Sequence, residues 1–238
     1  MNSHDSEREL QKQYYSKTAE QYNSLHVSDS DEHSLALCVL LGISDFLGVK
    51  SILDVGSGTG RAIMRIRKAR PGIVARGVEP VKELREIAYL QGASREEIVE
   101  GDAYALQFSD GSFDVVCEFG MLHHVRSPEL AVKEMLRVAR KAIFLSDSNN
   151  FGQGTSLSRG IKQALDVLGL WPIANLIKTR GRGYTITEGD GLAYSYSVFN
   201  NYRQIRRECK SVHLFNTSPA AINPYRTASH LVLLGLKK

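Results

Sequence analysis

Residues 51–62, "SILDVGSGTGRA", decide how this chain is read. An apolar run stops at three glycines spaced two apart, Gly56, Gly58 and Gly60, and "RAIMRIRKAR" follows with Ile63 and Ile66 three apart until "PG" at 71–72 breaks the pattern. Strand, glycine loop and helix in that order place the free N–H groups of a helix start beside a backbone that a ligand can approach closely. Outward from this unit the alternation continues. "IVARGVEP" (73–80), "EEIVEGDA" (96–103), "FDVVCEFG" (113–120) and "KAIFLSDS" (141–148) read as strands. "VKELREIAYLQG" and "SPELAVKEMLRVAR" read as helices, the latter with Ser127 as cap and Pro128 at its first position. Such alternation predicts right-handed crossovers and a parallel sheet covered on both faces.

The flanks are less regular. Residues 6–22 read as a helix entering the tyrosine-rich "YYSKTAEQYN", and Asp31 or Ser30 can cap a second helix that ends at Gly48. After residue 148 come a glycine and serine loop, a helix near 158–178, the stretch "TRGRGYTITEGDGLAYSYS" and a helix "VFNNYRQIRREC" capped by Ser197. "KSVHLFNTS" and "SHLVLLGLKK" then read as two closing strands joined by "PAAINPYRTA". The expected organisation is one domain over 1–238: N-terminal helices (1–50), a ligand-binding core (51–148), a cap (149–208) and closing strands (209–238).

Composition bounds the class. With 42% hydrophobic and 24% charged residues the chain is ordinary globular material. "LALCVLLGI" (35–43) is far too short to cross a bilayer, and the polar, acidic start does not have the form of a secretory leader, so the expected location is the cytoplasm. Cys38, Cys117 and Cys209, without any Cys-x-x-Cys pair, suit neither a disulfide framework nor a zinc site; reduced, buried thiols and no metal are expected. The net charge of +4 is uneven: residues 151–238 hold 12 basic against four acidic groups, so the last third is the basic part.

The loop then has to be matched to a ligand. A phosphate-cradling loop requires Lys and then Ser or Thr after its last glycine, whereas Arg61 and Ala62 follow Gly60, and a dinucleotide fingerprint requires glycine where Arg61 stands. The remaining pattern, Asp54-x-Gly56-x-Gly58-x-Gly60, resembles the first motif of class I S-adenosylmethionine-dependent methyltransferases, of the small-molecule, type 11-like kind. Three downstream signals fall in the family's order: Glu79, 19 residues beyond Gly60, "GDA" at 101–103, and "FDVVCEFGMLHHV". The resemblance covers about residues 50–147 and implies a Rossmann-like, seven-stranded, mostly parallel sheet with helices on both faces, an antiparallel last strand and a cap inserted after strand 5. It implies S-adenosylmethionine as cofactor and S-adenosylhomocysteine as product, with Glu79 and Pro80 at the ribose, Asp102 and Ala103 at the adenine and Glu118 at the methionine part. "YYSKTAEQYN" resembles the family's tyrosine-bearing first helix, with Tyr15 as the expected contact and Tyr14 and Tyr22 as alternatives.

Methyl transfer from a sulfonium is an in-line displacement that gains from holding donor and nucleophile in attack geometry, and a base is needed only if the nucleophile arrives protonated. His123 and His124, at the carboxyl edge of the sheet, are the candidate bases, with sheet-edge packing as the alternative. Asp147 can orient a substrate or cap a loop. Exocyclic amine methyltransferases place Asn or Asp, two prolines and an aromatic after the fourth strand, where this chain has "EFGMLH", and Cys117 is badly placed for pyrimidine C5 chemistry. In the cap, Arg180 and Arg182 with Tyr184, Tyr194 and Tyr196 suggest a small anionic acceptor, a carboxylate, phosphate or phosphonate, and a solvated basic loop is the plain alternative. The expected reaction is O-methylation ahead of N-methylation of a small metabolite. RNA methylation, nicotinamide-dependent oxidoreduction and noncatalytic cofactor binding are the competing readings, and the acceptor's identity and the oligomeric state are not written in the sequence.

Overall fold

The computed structural model describes residues 3–28, 30–218 and 222–238. Helices α1 (Ser3–Thr18), α2 (Tyr22–His26) and α3 (Glu32–Phe46) precede the sheet. Asp31 starts α3 by accepting the Ser34 N–H at 2.7 Å. The expected alternation follows: β1 (Ser51–Val55), α4 (Arg61–Ala69), β2 (Val74–Val78), α5 (Lys82–Leu90), β3 (Ile98–Val99), β4 (Phe113–Phe119), α6 (Pro128–Val138) and β5 (Ala139–Ser148). Beyond it lie α7 (Ser156–Val167), α8 (Trp171–Lys178), β6 (Tyr184–Thr187), β7 (Gly191–Tyr194), α9 (Tyr202–Glu208), β8 (Cys209–Asn216) and β9 (His230–Lys237).

Seven strands form one sheet in the order β3-β2-β1-β4-β5-β9-β8, with β1 to β5 parallel and β9 antiparallel to both its neighbours. Successive residues of a strand bury against opposite layers, as the pleat requires. Leu53, Val116 and Ile143 join the core that includes Met135 of α6 and Ile205 of α9, whereas Ile52, Val115 and Phe144 join the one that includes Leu40 of α3 and Ile63 of α4. Truncating a fully buried residue such as Leu53 to alanine would cost about 2–5 kcal/mol. The order reverses between β1 and β4, so their carboxyl ends open a crevice there, where ligands of such sheets bind.

Several expected details change. The helix near 158–178 is two helices, because Gly169 adopts φ +70° after α7 and α8 restarts with Pro172 in its first turn. The stretch 179–197 contains the hairpin β6–β7, in which Tyr184 pairs with Tyr194. Ser127 occupies the cap position of α6 without a side-chain bond, leaving Pro128 as the start signal. Cys117 and Cys209 are buried, but Cys38 is exposed. In "PAAINPYRTA" the first three residues lie outside the described ones; "NPY" is a turn in which Asn223 accepts the N–H groups of Tyr225 and Arg226. Among the described residues no helix is long and apolar enough to cross a membrane.

Candidate functional site

The three loop glycines turn the chain where no other residue would. Gly56, Gly58 and Gly60 have φ of +78°, +55° and +82°, and a Cβ would meet Met121 Cγ at 2.6 Å, Tyr22 Oη at 2.9 Å and Ile98 Cδ1 at 2.7 Å respectively. The loop therefore lies flat between the turn after β4, helix α2 and β3.

Glu79 is buried just past β2, and its two carboxylate oxygens accept the N–H groups of Gly58 and Val81, each at 2.9 Å. Burial pushes its carboxyl up to about 6, against the pull of those two bonds. Asp54, at the end of β1, is raised to about 7 by burial and then by the charge of Glu79. Two buried acids that stay raised in spite of nearby Arg61, Arg85 and Lys12 suit a ligand that brings hydroxyl donors and a positive charge.

Two adjoining cavities receive these groups. The smaller, about 130 Å³, is lined by Glu79, Pro80, Asp102 and Ala103 together with Val55 and Leu84. Asp102 accepts the Tyr104 N–H at 3.0 Å and pairs with Arg8 of α1. The larger, about 400 Å³, is lined by Asp54, Arg61, His33, His123 and Asp190 among others, and Arg61 is held there by a bidentate pair with Asp31 at 2.7 Å. Gly56, Tyr15, Tyr22 and His124 border both cavities, so they mark the junction. Tyr14 instead donates its hydroxyl to the Glu188 carbonyl in the hairpin loop.

Glu118 departs from expectation. It is fully buried and borders neither cavity; one of its oxygens accepts the Met121 N–H at 2.9 Å, and burial followed by the Asp147 charge pushes its carboxyl well above the usual range. The strand's two-residue period gives the cavity to Phe119 and turns Glu118 to the opposite face.

The two histidines are held differently. Although burial opposes its charge, His123 is drawn well above its ordinary range by Asp147 and then Asp190: Nδ1 donates to Asp147 at 2.7 Å and Nε2 lies 3.3 Å from Asp190. Asp147 also accepts the Leu122 N–H at 2.8 Å, so it caps the turn and clamps the ring rather than facing a substrate. His123 is thus a cation locked between carboxylates. His124 has its Nδ1 2.7 Å from the Leu192 carbonyl and 3.1 Å from the Gln11 side-chain amide nitrogen, so that face of the ring is fixed by the β6–β7 turn and α1. Tyr15 Oη stands 3.0 Å from Nε2, with its phenol raised well above its ordinary value by burial and then by Tyr22, so it keeps its proton. Asp190 reaches Nε2 of both rings at 3.3 Å.

Asp190 had no signal in the sequence. It sits in the β6–β7 turn between two glycines, and Gln11 fastens that turn to α1 by accepting the Leu192 N–H at 2.6 Å and donating to the Asp190 carbonyl at 3.2 Å. His123, His124 and Asp190 offer three potential metal ligands within 4.8 Å of one another. They are the candidate metal-holding group among the described residues, where the sequence suggested none.

The cap residues divide. Tyr184 and Tyr194 line a third cavity of about 260 Å³ that includes Lys178 and shares His123, Asp190 and His230 with the larger one. Tyr196 borders the same cavity, but it is 3% exposed, packs in the core and donates to Asn201 at 2.8 Å. Arg180 and Arg182 are exposed and border none of these cavities; Arg182 leans over the Tyr184 ring, 5.9 Å from its centroid. The expected arginine clamp is absent from the site.

Known proteins resemble this chain in sequence and fold. Residues 53–145 match the family described as a methyltransferase domain. The norajmaline N-methyltransferase of Rauvolfia serpentina is 36% identical over 95 residues, 38% of this chain and 32% of that one. The phosphatidylethanolamine N-methyltransferase of Cereibacter sphaeroides is 29% identical over 130 residues, 48% of this chain and 57% of that one. The match thus spans about a third to somewhat over half the length of these relatives. The magnesium protoporphyrin IX methyltransferase of Synechocystis, solved with S-adenosylhomocysteine bound, superposes over 98% of this chain and 100% of its own with a TM-score of 0.62 at 13% identity, a likeness of fold.

Proposed function

We propose that the chain is a class I S-adenosylmethionine-dependent methyltransferase that transfers the cofactor's methyl group to a proton-bearing heteroatom of a small molecule, a hydroxyl oxygen foremost. The observation that carries this reading is the place of His124, whose Nε2 lies 3.0 Å from the Tyr15 hydroxyl at the junction of the two cavities. When bound, the cofactor supplies an electrophilic methyl on a sulfonium. Glu79 would take the ribose hydroxyls, Asp102 and Ala103 the adenine edge, and Asp54 the cationic amino group. The acceptor would lie in the larger cavity, where His124 takes its proton directly or through Tyr15, a role worth about 10²–10⁴ in rate. His123 would hold Asp190 in place rather than serve as base, since its imidazolium is stabilised on both sides.

Arg180 and Arg182 lie outside the cavities, which leaves Lys178 in the third cavity as the cap's cation for an anionic acceptor. A second reading, transfer to an amine nitrogen, is favoured by the acids Asp190 and Glu32 in the larger cavity and by the amine-methylating names of two relatives. Calorimetry with S-adenosylmethionine, S-adenosylhomocysteine and NAD tests the premise: the first two should bind and the last should not, and no binding of either sulfur compound defeats the proposal. Matched alcohol and amine acceptors on one scaffold, scored by S-adenosylhomocysteine release, decide between oxygen and nitrogen.

A further inference from the structure

Helices α7 and α8 have no buried residue, and α7 wears its amphipathic pattern inside out. Its polar residues face the protein: Lys162 donates to the carbonyls of Asn150 and Gln153, Gln163 donates to those of Phe151 and Arg226, and Asp166 accepts from the Tyr225 hydroxyl at 2.8 Å. Its large apolar residues other than the half-buried Leu165 face outward. Leu157, Ile161, Val167 and Leu168 continue into Leu170, Ile173, Leu176 and Ile177 of the α8 region, each between 45 and 81% exposed. These eight are drawn from 18 exposed large hydrophobics among the described residues; the other ten are spread over the remaining chain. A soluble domain does not expose such a patch without a partner.

The charge beside the patch identifies the partner. Exposed Lys178, Arg180 and Arg182 follow the last apolar residue directly, and between residues 156 and 182 five basic groups stand against Asp166, which the Tyr225 hydroxyl already engages. An outward apolar stripe edged by lysine and arginine is the pattern of a helix lying in the interface of a bilayer with anionic headgroups. The third cavity opens beside this region: Asn175, Lys178 and Thr179 line one part of it, and His123 and Asp190 the part shared with the larger cavity. We propose that the outward face of α7–α8 docks on an anionic lipid surface, and that the third cavity admits from it the polar head of an amphiphilic acceptor. The second half of this statement rests on the methyltransferase reading; the first does not.

Trp171, the chain's single tryptophan, opens α8 and reports on the face without a label. The full chain is mixed with vesicles of phosphatidylcholine alone and of phosphatidylcholine with an equal part of phosphatidylglycerol, then followed by co-sedimentation and Trp171 emission. Binding to the anionic vesicles with a blue shift is expected, weakened at least tenfold on neutral vesicles or in high salt. The pair Ile161→Glu with Ile177→Glu, at exposed positions, should abolish binding, and Arg180→Glu with Arg182→Glu should lower it about tenfold. S-adenosylhomocysteine affinity measured on each variant establishes that it is folded and reads the methyltransferase premise separately. Wild-type protein left in the supernatant with anionic vesicles overturns the proposal, as does equal sedimentation of the glutamate pair. A dimer in sedimentation velocity that the glutamate pair dissolves, without vesicle binding, also overturns it by assigning the face to a second copy of the chain.

Discussion

The core of residues 51–148 and the cap of residues 149–208 use the same kinds of residue to different ends. In the core, glycines with left-handed φ sit against neighbouring side chains, and charged groups are buried with designated partners. In the cap, Gly191 meets Tyr14 and Gly154 meets Ser158, but Gly169, Gly181 and Gly183 have left-handed φ with nothing within 4 Å of a Cβ, and Arg180 and Arg182 stand in solvent. Position in the core follows from backbone geometry, whereas position in the cap follows from a few fastenings such as Gln11 to Leu192.

The contrast can be broken at its strongest point first. Gly56→Val should abolish S-adenosylhomocysteine binding and cost about 2–5 kcal/mol of stability through strain and the clash with Met121, read by calorimetry and thermal melting. Gly181→Ala, at φ +83° in open space, should cost about 1–2 kcal/mol and leave cofactor binding intact. Comparable losses from both would erase the distinction. Next, His124→Ala should lower kcat about 10²–10⁴-fold while the dissociation constant of S-adenosylhomocysteine stays within about tenfold; full turnover would remove it as base.

Smaller effects sharpen the comparison. Glu79→Ala should weaken cofactor binding by about 1–3 kcal/mol. The carboxyls of Glu79 and Asp54, at about 6 and about 7, must ionise to receive a cationic, hydroxyl-bearing ligand, so affinity for S-adenosylmethionine should rise from pH 5 to pH 8 and then level. A flat profile would mean that neither acid touches the ligand. In the unligated protein the sign reverses. A raised carboxyl binds its proton more tightly when folded, so stability falls as pH climbs from the unfolded-state value near 4 through about 7. Asp54→Asn should therefore raise the unligated Tm at pH 8 by a few degrees, at about 2–4 °C per kcal/mol. Smallest of all, Arg180→Ala and Arg182→Ala should leave KM for a short, water-soluble acceptor unchanged.

Much of the core was legible because its rules are local. The glycine spacing, Arg61 in place of lysine, and Glu79 and "GDA" at strand ends each follow from what a backbone turn permits. Glu118 was named through the family resemblance, which does not carry the pleat that gives the cavity to Phe119. Asp190 was invisible because it lies 66 residues from His124 and is brought there by a hairpin whose placement depends on α1. The arginines were overread: guanidinium in sequence says nothing of which way a glycine-rich loop carries it. The inverted pattern of α7 could have been noticed, since Leu157, Ile161 and Leu168 form a stripe, but only the structure shows that this stripe faces away from the core.

The sheet order also bears on the chain's synthesis. Strand β9 is made after β8 yet lies between β8 and β5, pairing Leu231 with Asp147. Until residues 230–237 leave the ribosome, the β5 edge stays open and β8 has no neighbour to join. The strand that carries the anchor of His123 is thus the last core edge to be sealed during translation, and the nascent chain is most exposed to edge-to-edge association just before the site can assemble.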